Sequence, residues 1–489
     1  MSLKIACAAG DGIGPEIMAA TLELFAAAGV TRTAEFVPVE MGAGEFAKGN
    51  TRGMSDACVR TVEDCGLLFK GPMETPKGGG GKSINVTARK LWNAYANYRV
   101  FKTLPGVETV YSKAGISIDM AIVRENIEDT YGGVEHRLSS DMVQCKRLIS
   151  APGSEQVHRF AFETARKLKI GRVHCGHKAN IMKMTDGLFL DRFRAVGAGY
   201  PEIECADVIV DALCMNLVLR PQQYRMVVLP NLQGDIVSDL VAGLVGGLGF
   251  APSANIGNHI SIFEAVHGTA PDIAGKGVAN PTSLILSGLM LLRHLCLFKE
   301  ASVVENALLT TLESGVHTGD FGRKETPPVG TAAFTRAIIE NLGNTPTTVP
   351  AVPEAAEGDH CFVRPARPTG HQVIRTFTGV TSEVVGCDIY LDSVRAPAEL
   401  AKDLGAVCEG TPLKLTLISN RGTQVWPTGS VFTECVDYYR VRFESRAGAL
   451  TQAACVALLD RVAERFTVCS YELLRTFDGV KGFSLAQGQ

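Results

Sequence analysis

No C-x-x-C spacing occurs in this chain; its 14 cysteines are scattered, and no two lie closer than Cys58 and Cys65. That excludes a zinc knuckle, gives no sign of a disulfide framework and fits a reducing compartment. An excess of charge is missing too. The formal net charge is -3, so there is no electrostatic reason to expect nucleic acid or an anionic membrane as a partner, and small molecules are the default. No apolar stretch is long enough for a membrane span, because the longest helical candidate, Leu284 to Phe298, is interrupted by Ser287, Gly288, Arg293 and His294 and reads as a core helix. A signal or transit peptide is not expected either, since Ser2 to Gly10 already looks like a core strand. At 489 residues the chain is too long for one ordinary core, and two or three domains are expected.

What the chain does contain is centred on Asn231 to Asp239. The apolar run Arg225 to Pro230 reads as a buried parallel strand, and the helix after it carries Asp235 and Asp239. Positions i and i+4 share a helix face, so both carboxylates can aim at one point beyond the strand's carboxyl end, where two hard oxygen donors suit Mg²⁺ or Mn²⁺. A helix-capping acid and a solvated one account for this pair equally well. Asp211, ending the strand Ala206 to Val210, is a third carboxylate at a strand terminus.

Earlier, Gly10-Asp-Gly-Ile-Gly14 precedes a helix that opens with Pro15-Glu16 and ends at Gly29. Its G-x-G-x-G spacing departs from the Rossmann fingerprint. Strands at Ala34 to Val39 and Gly66 to Phe69 flank a helix near Ser55 to Cys65, an α/β pattern. A glycine-rich loop carrying Thr75 leads into a helix with Ser83, Asn85 and Arg89; Arg99 and Arg124 follow. Guanidinium groups bind carboxylates bidentately, so three of them suit a substrate with several carboxylates, although a single arginine is more often simply solvated. Tyr131 and Lys178 are possible proton carriers if burial or charge moves their pKa values. The loop from Phe263 to Pro281, which includes His267, is rich in glycine, proline and small residues and lets its backbone approach a ligand closely.

Five prolines between Thr345 and Gly370 (Pro346, Pro350, Pro353, Pro365 and Pro368) mark an extended linker. Beyond it, strands at Val384 to Leu391, Leu413 to Ser419, Tyr438 to Glu444 and Val468 to Thr476 alternate with helices at Pro397 to Leu404 and Leu450 to Phe466. The order β-α-β-β-α-β is ferredoxin-like. This unit holds no catalytic constellation and no basic stripe with interleaved aromatics, so it reads as an assembly or regulatory module.

With these motifs in hand, residues 1 to about 342 resemble the isocitrate and isopropylmalate dehydrogenase family. The likeness lies in Gly10-Asp-Gly-Ile-Gly-Pro-Glu16, Ser83-x-Asn85-x-x-x-Arg89, Arg124-Glu-Asn with Tyr131, Lys178-x-Asn180, Asp211, the segment Asn231 to Asp239, and Glu264-x-x-His-Gly-x-Ala-Pro271. The resemblance implies a two-domain α/β fold that is not Rossmann, followed by the α+β ferredoxin-like domain. The large domain would comprise 1–95 and 246–342, and the small domain 96–245, with a dimer-forming clasp and the metal site. The linker would cover 343–382 and the C-terminal domain 383–489.

The same resemblance implies oxidative decarboxylation of isocitrate to 2-oxoglutarate and CO₂. Asp235, Asp239 and a partner subunit's Asp211 would hold Mg²⁺ or Mn²⁺, Lys178, also from the partner subunit, would assist proton removal, and Tyr131 would protonate the product carbon. Thr75, Ser83, Asn85, Arg89, Arg99 and Arg124 would bind substrate, with Ser83 and Asn85 marking the isocitrate branch over the isopropylmalate or homoisocitrate alternatives. Glu264, His267, Gly268, Thr269, Ala270, Pro271, Asp272, Ile273 and Asn280 would line the dinucleotide loop. Asp272-Ile273 resembles the NAD-using members, because Asp272 would repel the extra phosphate of NADP. Arg323 departs from that pattern, matching a phosphate-contacting position in some NADP enzymes. NAD is therefore the expected cofactor, and an NAD-dependent isocitrate dehydrogenase the expected enzyme. A homodimer with a shared site is expected, with a higher oligomer through the C-terminal domain and a cytoplasmic location, or the mitochondrial matrix in a eukaryote. The competing reading from another class, a non-catalytic regulatory subunit, is disfavoured because Tyr131, Lys178, Asp211, Asp235 and Asp239 are all present.

Overall fold

The computed structural model describes residues 3–74, 83–323, 325–354 and 367–485. It separates into two compact units, 1–132 with 148–373 and 133–147 with 374–489.

The first unit is built on a ten-stranded sheet. In spatial order its strands are Ala34–Pro38, Leu3–Ala8, Leu67–Lys70, Ser261–Ala265, Pro252–Ile256, Ala96–Lys102, Asp119–Glu125, Met226–Leu229, Arg172–His177 and Glu204–Ile209. The first four pair in parallel, as do the last four, while Pro252–Ile256 and Ala96–Lys102 run antiparallel to their neighbours and to each other. This order is not the 3-2-1-4-5-6 of a Rossmann sheet. Met226–Leu229, an inner parallel strand, is a continuous apolar run and all of it is buried, as cover on both faces demands. Helices Gly14–Ala27, Thr282–His294, Phe298–Glu313 and Thr331–Glu340 cover one parallel half, and Ala151–Lys167 and Thr185–Gly197 pack on the other.

The antiparallel centre creates the setting for a polar site. Register places Lys70, Glu264, Ser253 and Arg99 in one row, and Asn255, Asn97 and Arg124 in another. Residues i and i+2 share a sheet face, so both rows lie on the same side, and all seven side chains are buried.

The second unit contains a six-stranded antiparallel sheet in the order Thr423–Trp426, Leu413–Asn420, Tyr438–Ser445, Ser382–Asp392, Thr467–Phe477 and Val480–Lys481. Its middle four strands, joined through helices Pro397–Val407 and Gln452–Ala463, have the expected ferredoxin-like arrangement. Inward-pointing Cys387, Ile389 and Leu391 alternate with polar neighbours and meet Leu400, Leu404, Leu458 and Val462 from the helices. A hairpin, Glu135–Arg137 with Val143–Cys145, belongs to this unit, tied by Ser139 Oγ to Asp437 at 2.7 Å and Lys146 to Glu472 at 3.3 Å.

Among the described residues no helix is long and apolar enough to cross a membrane.

Candidate active site

Helix Asn231–Leu244 starts directly after the buried strand Met226–Leu229, so Asp235 and Asp239 fall one turn apart beyond its carboxyl end. Arg99 reaches both, with Nη2 at 3.6 Å from Asp235 and Nη1 at 3.2 Å from Asp239. Arg124 pairs with Asp235, while its Nε and Nη2 donate to Asn231 Oδ1 at 3.0 and 2.7 Å. The Tyr131 hydroxyl donates to the other Asp235 oxygen at 2.5 Å, and the Arg124 guanidinium lies 4.8 Å from the Tyr131 ring centre. Arg89, from helix Ile84–Leu91, donates to Glu264 at 2.9 Å, and Lys70 pairs with the same carboxylate.

The electrostatics follow from packing four cations and three acids together. Burial, then repulsion from Arg89, lowers Arg124 to about 10. Burial alone would lift Glu264, but Lys70 and Arg89 hold it well below the usual carboxylate range. Asp235 is likewise pushed up by burial yet ends below its ordinary value because of Arg124 and Tyr131. Asp239 stays raised, burial outweighing Arg99. Burial and the bond to Asp235 raise Tyr131, keeping it protonated and able to donate. An anion with several oxygens is the natural complement of such a surface.

Two atoms point the same way. Arg89 Nε and Asn85 Oδ1 are buried and bonded to nothing among the described residues; a buried donor without a partner is costly and marks a place for a ligand. The Asn85 amide can present either end to that ligand. The donor set also fits a hard divalent cation, since two carboxylates one helical turn apart converge on a single guanidinium. Among the described residues, however, no three His, Cys, Asp or Glu side chains gather within one chain.

Lys178 and Asp211 form a pair of their own, 2.5 Å apart, with Asp211 in the first turn of helix Val210–Leu219 rather than ending the strand. That helix and its neighbour expose an apolar surface: Met215, Leu219 and Ile236 are 56, 62 and 61% accessible, and Val218 and Leu232 are exposed as well. Ile181 and Met184, beside Lys178, are also exposed. Ser83 occupies the cap position of helix Ile84–Leu91; Thr75 lies outside the described residues.

The dinucleotide-loop residues follow strand Ser261–Ala265, Glu264 within it and the rest beyond. His267 bonds its own neighbour through Nδ1 and leaves a buried Nε2 without a partner among the described residues, an open position for a bound group. Gly268, Thr269, Pro271, Asp272 and Ile273 lie on an open turn around Ala270, whose φ is +42°. Asn280 is buried and donates to Asp320 at 3.0 Å. The Gly10–Gly14 glycines serve this loop: Ile13 N donates to Thr269 O at 2.9 Å, and a Cβ on Gly12 would lie 2.0 Å from that oxygen. Glu16, read in sequence only as a first-turn acid, accepts from Gly277 N and Ala279 N at 3.1 and 3.0 Å and so props the loop from beneath.

Other supports were not foreseen. Asn97 accepts from Arg99 Nε at 2.8 Å and donates to Ser253 and Asn255; Asn255 in turn donates to Glu264 at 2.7 Å. Asp186 accepts from Lys178 N at 2.6 Å and Gln233 Nε2 at 2.9 Å. Only the shared face of the antiparallel strands could have revealed the asparagines, and strand pairing across that distance is not visible in one sequence.

Comparison with known proteins adds the following. The family model for isocitrate/isopropylmalate dehydrogenase matches residues 4–340, and that for the bacterial isocitrate dehydrogenase C-terminal domain matches 382–489. An NADP isocitrate dehydrogenase of Thermus thermophilus is 44% identical over 98% of this chain and 95% of its own length. One from Rickettsia conorii is 35% identical over 99% of each. The crystal structure of the TT0538 protein, also from Thermus thermophilus, superposes with a TM-score of 0.91 at 43% identity, covering 99% of this chain and 96% of that one. Both full-length relatives are named for NADP, which corrects the expectation of NAD and of an NAD-dependent enzyme. The physical error was to weight Asp272 too heavily. It is exposed, where repulsion at 4 Å is worth only about 1 kcal/mol in water. Meanwhile Arg323 stands 74% exposed in the segment that borders this loop through Thr331 N to Gly277 O at 2.9 Å.

Proposed function

Because this chain belongs to the isocitrate/isopropylmalate dehydrogenase family, we propose that it converts isocitrate to 2-oxoglutarate and CO₂, with NADP as hydride acceptor and Mg²⁺ or Mn²⁺ at the site. The observation that carries the reading is the convergence of buried Arg99 and Arg124 on Asp235 and Asp239, with buried Arg89 held on Glu264 near enough to act on Asp235 and Arg124. The three guanidinium groups bind and orient the substrate's carboxylates, and Arg89 Nε, without a partner among the described residues, takes one of their oxygens. Ser83 and Asn85, at the start of the same helix, receive the carboxylate that distinguishes isocitrate from isopropylmalate.

Asp235 and Asp239, with Asp211 of the partner subunit, would hold the divalent cation, which would supply Lewis acidity to the substrate's hydroxyl oxygen. Lys178, placed by its backbone bond to Asp186, assists removal of the hydroxyl proton in the neighbouring chain's site. After hydride and CO₂ have left, Tyr131 gives its proton to the carbon. Glu264, His267–Ile273 and Asn280 would hold the dinucleotide, and Arg323 would meet the extra phosphate. The exposed apolar residues Met215, Leu219 and Ile236 support a homodimer that buries them and carries Lys178 and Asp211 to the second site. A cytoplasmic location and further assembly through the C-terminal domain complete the reading.

The test is reduction of NADP by the purified protein with isocitrate and Mn²⁺. Turnover that depends on all three supports the proposal. No turnover with isocitrate, or turnover indifferent to a chelator, refutes it.

A further inference from the structure

Tyr131 lies on a short helical turn, Thr130–Gly132, and the way that turn is held assigns a role to a residue outside the substrate contacts. Its leading edge is anchored by Asp129, fully buried at φ +66°. The Asp129 side chain accepts from Thr130 N at 2.8 Å and from Leu232 N at 3.1 Å, which ties the turn to the start of the helix carrying Asp235 and Asp239. Its own N–H donates to Leu148 O at 2.9 Å. Directly after Gly132 the chain passes into the second unit. The trailing edge of the turn is held by Lys90, whose Nζ donates to Tyr131 O at 2.6 Å and Gly132 O at 3.3 Å.

Lys90 directly follows Arg89 on helix Ile84–Leu91, which begins at Ser83 and Asn85. An ammonium has three donors and reaches two carbonyls at once, and charge-assisted bonds of this kind are about twice as strong as neutral ones. One end of the tyrosine turn is thus fixed to the acid-bearing helix and the other to the substrate-bearing helix. We propose that Lys90 is a positioning residue that sets the Tyr131 hydroxyl for proton delivery, locking it to the helix that senses the substrate. The inference rests on the reading of Tyr131 as proton donor. It makes Lys90 matter for the step in which the tyrosine O–H bond breaks and the C–H bond forms, rather than for substrate binding.

The experiment compares Lys90→Met, Lys90→Arg and Tyr131→Phe in the full-length protein. Lys90→Met should lower kcat roughly tenfold to a hundredfold, the scale of an ångström-level misplacement, with the isocitrate KM within about twofold of the parent. Its solvent deuterium isotope effect on kcat should rise as proton delivery becomes slower, while the effect of deuterium at the hydride-donating carbon shrinks. Lys90→Arg, which keeps a charged donor for the two carbonyls, should recover most of kcat. An unchanged kcat in Lys90→Met, or a loss confined to KM with unaltered isotope effects, overturns the proposal. If Lys90→Met does not fold, Lys90→Gln is judged by the same criteria. Tyr131→Phe separates the two readings. If it is inactive while Lys90→Met behaves as the parent, only the role of Lys90 fails; if it is fully active, the tyrosine is not the donor and both fail.

Discussion

Among the described residues Arg89 bonds Glu264 and leaves its Nε for something else. Replacing it with alanine should cost about 2–4 kcal/mol in transition-state binding, some thirtyfold to a thousandfold in kcat/KM for isocitrate, while Lys70 keeps Glu264 paired and the fold intact. Glu264 itself supports a pH prediction. Its carboxyl is held below the ordinary range when folded, so its contribution to stability is complete above the unfolded glutamate pKa, about 4.3, and is lost as pH falls below that value. Glu264→Gln should therefore be less stable than the parent at neutral pH, by about 3–5 kcal/mol for a buried pair that loses one partner. Denaturation curves of the two proteins should converge as the solution is acidified; parallel curves would show that Glu264 is not charged in the fold. At this scale the sequence was legible wherever a motif names the residue: Arg89, Arg124, Tyr131, Asp235 and Asp239 do come together, joined by Arg99, which stands outside any motif. Lys70, Asn97 and Asn255 were missed because buried polar residues that hold other side chains carry no spacing rule, and the loop-supporting role of Glu16 was missed because its backbone partners Gly277 and Ala279 are far away in sequence.

Helices and strands were read best where periodicity is undiluted. Met226–Leu229 and the helix after it lie close to where the apolar run placed them, although the helix begins at Asn231, earlier than its first acid. The small hairpin Glu135–Arg137 with Val143–Cys145 was not foreseen, because three-residue strands that are largely exposed leave no alternation to detect. The element that carries the acids also contains a glycine with a definite purpose. A Cβ on Gly234 would lie 2.7 Å from Arg124 Cγ and 2.8 Å from its Cβ. Glycine in a helix interior ordinarily costs about 0.5–1 kcal/mol relative to alanine; here it lets the guanidinium pass beside the helix to Asp235. Gly234→Ala should therefore lower activity by more than about tenfold through displacement of Arg124, despite alanine's better helix propensity. Steady-state kinetics checks this; a more stable variant with full activity would contradict it.

For the molecule as a whole, the C-terminal ferredoxin-like unit was legible because a proline-rich stretch precedes its own β-α-β-β-α-β pattern, whereas the division of the preceding residues into a large and a small domain came only from the family resemblance. The cofactor was misjudged because specificity for one phosphate rests on a few exposed charges, whose weight depends on geometry rather than on composition. Met215, Val218 and Leu219 on one helix and Leu232 and Ile236 on the next are all exposed, and exposed apolar residues grouped in this way mark an interaction surface. Placing a charge there by Ile236→Lys should dissociate the protein to monomers in sedimentation velocity and abolish turnover with it. A monomeric variant that keeps full activity would remove the reason for sharing Lys178 and Asp211.

The most direct measurement is subunit mixing. Lys178→Met and Asp235→Asn should each be inactive alone. After they are unfolded and refolded together, a heterodimer places both lesions in one site and none in the other, so roughly a quarter of parental NADP reduction with isocitrate should return, half of the molecules having one intact site. If the mixture stays as inactive as its components, lysine and aspartate serve the same site of one chain, and the account is wrong.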